Sequence, residues 1–115
     1  MKTYPLLIYG AGTLMDVLST YAALLLVPGA VETNPRVAPL LFTPFHFFAE
    51  LAAFTAMFFL YLVGLLVEEY DREKGFPRLG VAARRIVHAA VAAVGILRML
   101  AATNNILLIV CFSNI

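Results

Sequence analysis

Long apolar runs, broken by two polar stretches, organise this chain. A helix needs about 20 mostly apolar residues to cross a bilayer. Three stretches meet that length: 4–27, 37–67 and 85–112. The second could equally begin at Pro44. The last two exceed the minimum, so tilt or projection beyond the hydrocarbon is expected. Splitting the third at Arg98 would leave two pieces too short to cross. The pattern therefore predicts an all-α integral membrane protein. It would form a single domain, 1–115, with three transmembrane helices in a small bundle.

The two breaks differ in character. "PGAVETNPR" (28–36) is short, with Pro28 and Gly29 to stop one helix and Pro35 to start the next. There, Asn34 is expected to cap the second helix and Glu32 to sit near its positive end. "EEYDREKGFPRLGVAARR" (68–85) is charged and reads as a loop over 68–84. It holds five basic residues and the N-terminus adds Lys2, whereas the first break has only Arg36. The positive-inside rule places the N-terminus and the 68–84 loop in the cytoplasm. The location implied is the plasma membrane, crossed more than once. Tyr4, Tyr9, Tyr61 and Tyr70 are the expected interfacial anchors, since the chain has no Trp.

The polar residues inside the runs fall into stripes. Tyr9, Gly12, Asp16, Ser19 and Ala23 recur at three- and four-residue steps, so they share one face of helix one. His46, Glu50, Ala53 and Met57 do the same on helix two. His88, Ala92, Gly95, Arg98, Ala102 and Asn105 do so on helix three. Small and polar residues mediate helix contacts in membranes, so these stripes should face inward. At about 1.5 Å of rise per residue, Asp16, His46, Glu50 and Arg98 reach one layer near the bilayer midplane. Glu32, Asn34, Asn104 and Asn105 would gather nearer the outer face.

A charge left alone at that depth costs about 2.5 kcal/mol or more. Arg98 is the expected partner of Asp16 or Glu50, because a guanidinium can bind a carboxylate with two bonds. One account is a structural polar knot that fixes register. A second is a proton or ion relay through His46 and the two acids. A third is a metal held by His46, Glu50 and Asp16, with the i,i+4 pair reaching one ion. Nearby Arg98 would repel that cation. A haem on His46 and His88 is disfavoured by their different depths. No cofactor is expected.

Composition narrows the classes further. The chain is 63% hydrophobic and 13% charged, with a mean hydropathy of +0.92; soluble domains carry about a quarter charged residues. A net charge of +1 without a basic run argues against nucleic acid as a partner. The lone Cys111 cannot form an internal disulfide and reads as a buried small apolar side chain. A signal peptide is not expected: the first run is long for one, carries Asp16, and places Pro28 poorly for cleavage at Ala30. Nucleophile elbows, phosphate loops, zinc-protease motifs and CxxC pairs are all missing from the sequence.

Asp16-x-x-x-Thr20 followed by Glu32-x-Asn34-Pro35 resembles a family of small archaeal and bacterial polytopic membrane proteins of unknown function. The likeness covers about the first third of the chain. It implies a three- or four-helix membrane unit and a paired acid motif, and brings no activity. That family often carries a lysine in the next helix, where this chain has His46 and Glu50. The leading functional expectation is an accessory subunit of a larger membrane complex, respiratory or otherwise energy-coupling. Its partners would be the lipid bilayer and other membrane subunits or further copies of itself. The alternatives are a homo-oligomeric proton- or ion-coupled carrier and a membrane-embedded enzyme.

Overall fold

The computed structural model describes residues 2–113. It is all-helical among those residues: α1 spans Tyr4–Leu26, α2 Pro44–Glu73 and α3 Pro77–Phe112, with a 3-10 turn at Ala38–Leu40. Each of the three helices is long and apolar enough to cross a membrane.

Proline opens each helix, at its first or second position. There the missing N–H has no intrahelical partner to lose, and the fixed φ suits the helix. The break expected over 68–84 is helical on both sides of a turn at residues 74–76. Gly75, at φ +89°, ends α2 in a left-handed conformation. Around it, Phe76 N–H donates to the Asp71 carbonyl at 2.8 Å and Gly75 N–H to the Arg72 carbonyl at 3.2 Å. This is the Schellman pattern of helix termination. Charge marks solvation and does not break a helix; Gly75 and Pro77 do. The charged residues ride on the projecting ends of α2 and α3.

The other connection, residues 27–43, is the irregular one. Of the two starts expected for helix two, Val37 and Pro44, the helix takes Pro44, and Pro35 does not open it. Asn34 instead opens an isolated turn: its carbonyl accepts from Val37 N–H at 3.1 Å and Ala38 N–H at 3.0 Å, and its Oδ1 from Arg36 N–H at 3.0 Å. Phe42, at φ +60°, adopts a conformation costly for a residue with a Cβ. It is held by its N–H donating to the Tyr21 hydroxyl at 3.3 Å and by edge-on ring contact with Tyr21. Tyr21, five residues before the end of α1, thus ties both the connection and, through His46, the first turn of α2 to α1.

Helix α3 is the centre of the bundle, packing along both α1 and α2, while α1 and α2 barely touch. The helices approach closely where side chains are small. A Cβ added to Gly95 would lie 2.6 Å from the Ile8 carbonyl oxygen, and one added to Gly12 would run into Gly95. The inward stripes are close to those expected: Tyr9, Gly12, Ser19 and Ala23 are buried on α1, and His88, Ala92, Gly95 and Ala102 on α3. The α2 stripe continues past Met57 to buried Tyr61 and Gly64. Tyr9 and Tyr61 are therefore core residues, 1% and 7% exposed, and not interfacial anchors. Cys111 is exposed, not buried.

Overpacking a close helix crossing costs about 1–3 kcal/mol. Gly95→Ala should destabilise the detergent-solubilised protein by that amount in thermal unfolding. Gly10→Ala, with open space around its Cβ position, should not.

Candidate functional site: a three-helix ionic cluster and its cavity

One arginine joins all three helices. Arg98 on α3 donates from Nε to Asp16 Oδ2 at 2.9 Å on α1. Its Nη1 and Nη2 donate to the two Glu50 oxygens on α2, each at 2.7 Å. Nη1 also donates to Thr13 Oγ1 at 3.2 Å. The Glu50 contact is the paired, fork-to-carboxylate geometry that favours arginine over lysine. The three side chains are each about one-fifth exposed.

Local helix geometry supplies the rest. Thr13, Asp16 and Thr20 fall on one face of α1, because residues three and four apart are neighbours. Thr20 Oγ1 donates to Asp16 Oδ1 at 3.4 Å, and Ser19 Oγ to the Asp16 carbonyl at 3.1 Å. Asn105, two turns beyond Arg98, donates to Ser19 Oγ at 3.1 Å and Thr20 Oγ1 at 3.0 Å. The cluster thus extends as a ladder between α1 and α3.

His46 completes the α2 side. It is buried, and its Nδ1 lies 2.7 Å from the Tyr21 hydroxyl. That hydroxyl already accepts from Phe42 N–H. The Tyr21 hydroxyl thus bridges the His46 ring and the Phe42 backbone. Nε2 faces Glu50 Oε1 at 3.5 Å. Tyr21 is the residue that sequence reasoning missed. Its signal was weak, since Tyr21 lies off the small-residue stripe.

A cavity of about 470 Å³ lies beside this network. Asp16, Thr20, His46, Glu50 and Arg98 line it, and Glu32, Asn34, Val37 and Leu40 bound it from the 27–43 connection. Glu50 is only six residues into α2, about 9 Å from its start. The network thus sits towards the 27–43 end of α2, although it is mid-length on α1. On its other side, His46 and Glu50 also border an apolar groove between α1 and α2, walled by Phe47 and Phe54.

All four residues expected in the central cluster are brought together. The second expected group is not. Glu32 Oε1 accepts from Asn34 N–H at 3.0 Å, and both residues face the cavity. Asn105 turns instead to α1, and Asn104 is exposed. Nor is the metal set of His46, Glu50 and Asp16 assembled. Among the described residues no group of three His, Cys, Asp or Glu side chains is placed to hold an ion. Arg98 binds both acids where a cation would have to sit. His88 belongs elsewhere: fully buried, its Nε2 faces the Tyr61 carbonyl at 3.0 Å, and its ring stacks on Tyr61. It lies ten residues, about 15 Å, along α3 from Arg98.

A second ionic group, also not foreseen, closes the 74–76 end. Lys2 and Arg84 both pair with Glu68, joining the N-terminus, α3 and α2. A Cβ on Gly80 would lie 2.9 Å from the Glu68 carbonyl oxygen, so that glycine lets the helices close around the pair.

Removing one partner of a buried ion pair costs about 3–5 kcal/mol, because the other charge is stranded. Arg98→Met should lose that much in denaturant unfolding of the solubilised protein. Neutralising the acids too, in Asp16→Asn/Glu50→Gln/Arg98→Met, should recover most of it. Comparison of the chain with family models, curated proteins and solved structures gives no match.

Proposed function

We propose that this is a small multi-pass plasma-membrane protein acting as an accessory subunit of a larger membrane complex, with the Asp16–Arg98–Glu50 cluster fixing helix register. The observation that carries the reading is the completeness of that cluster. Arg98 is neutralised by acids from both other helices, and each of its nitrogens is bonded. A group so fully satisfied is suited to holding helices rather than to exchanging partners. Large apolar side chains on the outer faces of all three helices, such as Leu18, Phe59 and Leu97, supply contact area for lipid and neighbouring subunits. The N-terminus and the 74–76 turn lie in the cytoplasm, since six basic residues cluster at that end against Arg36 at the other.

The cavity favours one alternative, a homo-oligomeric proton- or ion-coupled carrier. It brings space to the His46–Glu50 pair, an imidazole facing a carboxylate as proton relays use them. Three helices are too few to enclose a path, so copies of the chain would have to meet around a shared axis.

The two readings differ in what substitution removes. For the accessory subunit, Asp16→Asn lowers the abundance of the host complex, and its activity falls in parallel. For the carrier, Glu50→Gln or His46→Ala leaves assembly intact and abolishes proton flux into proteoliposomes. Native mass spectrometry of the protein extracted in mild detergent should show heterologous subunits at fixed stoichiometry; a lone chain or homo-oligomer overturns the accessory reading. Lys74→Cys in a Cys111→Ala background should react with an impermeant maleimide only after the cells are permeabilised.

A further inference from the structure

Most basic residues at the 74–76 end already have partners. Lys2 and Arg84 share Glu68, Arg72 pairs with Glu69, and Lys74 lies over the Tyr70 ring. Arg78 and Arg85 are different. Both are exposed, and neither has an ion pair or hydrogen bond among the described residues, although Asp71 and Glu73 are at the same end. They lie two turns apart on one face of α3 and line a common groove of about 380 Å³. Its floor is Val81 and Ala82.

The setting of this groove matters as much as its charge. The first turn of α3 carries no acid and has no side-chain cap. Arg78 therefore adds positive charge to an end that already favours an anion. No Lys, Arg, Asp or Glu occurs between Arg85 and Arg98. Arg85 thus marks the border of the apolar part of α3, and Arg78 stands about 10 Å further out. The headgroup layer of a bilayer is of that order of thickness.

We propose that Arg78 and Arg85 form a binding site for the phosphate of an anionic membrane phospholipid, with Val81 and Ala82 as the apolar floor beneath it. Two unpaired guanidiniums supply donors for phosphate oxygens. A free phosphate ion would match the arginines but would leave the apolar floor unused; a phospholipid uses both. This inference rests on the membrane reading, not on the accessory-subunit role. It gives the positive end of the molecule a specific lipid contact as well as an orientation.

The test uses the full chain in nanodiscs and in mild detergent, with phosphatidylglycerol and phosphatidylcholine as probes and native mass spectrometry as the readout. Each basic residue near an anionic surface multiplies affinity about five-fold. Wild type should retain one phosphatidylglycerol in preference to phosphatidylcholine, and Arg78→Gln/Arg85→Gln should lower that preference about twenty-fold. Arg72→Gln/Lys74→Gln removes the same charge nearby and should change it little. An equal loss in both double variants overturns the site in favour of diffuse charge. No preference in wild type, or full displacement by millimolar inorganic phosphate, also overturns it. Flotation of the chain with liposomes after alkaline washing separates the levels: failure to float sinks the membrane reading itself, whereas flotation without lipid preference sinks only this site.

Discussion

A guanidinium does not lose its proton in a protein, so Arg98 must be neutralised wherever it is buried. In this chain the neutralising groups come from two other helices. Asp16 and Glu50 fix α1 and α2 against α3 at one level, and the fork of Arg98 sets their directions as well as their distances. The rest of the cluster follows from that level. Asn105 reaches Ser19 and Thr20 because α1 and α3 run in the same direction from the Arg98 crossing. His46 lies one turn from Glu50 and meets Tyr21 because α2 runs the opposite way.

The contacts that bring α3 into this position are made by absent side chains. Gly12 and Gly95 let backbone approach backbone, and Gly64 and Gly80 make room for His88 and for Glu68. Close approach shortens the reach that Arg98 needs. It also makes the bundle asymmetric. With α3 packed along both partners and α1 and α2 hardly touching, a gap remains between them, bridged by polar side chains and open as a cavity and a groove. The cluster is both the brace across the gap and the lining of its polar side.

The 27–43 connection gives this gap its chemical character. Glu32 and Asn34 lie against the cluster and bound the cavity. This connection is irregular backbone, so its polar groups need partners that a helix would have supplied. Here its local turns are internally bonded through Asn34 and anchored on Tyr21. The opposite end is built differently, with a three-residue turn and an ionic group centred on Glu68. One end offers a pocket; the other offers exposed arginines.

The periodicity of the sequence by itself determined three long helices, their inward stripes and the four residues of the central cluster. Those properties depend on spacing along one helix, where the 3.6-residue repeat fixes which side chains are neighbours. Helix ends were less legible. The charge of 68–84 suggested a loop, although Gly75 and Pro77 were the true stop and start signals. Asn34 and Pro35 looked like a helix start because cap and proline occurred together, but they open only a turn. Only tertiary structure decided that Arg98 binds both acids, that Tyr21 orients His46, that Glu68 holds Lys2 and Arg84, and that Asn105 turns away from Glu32. Each of these depends on how far one helix is shifted along another. That shift is set by glycine contacts and by the length of an irregular connection, quantities that no single-helix pattern contains.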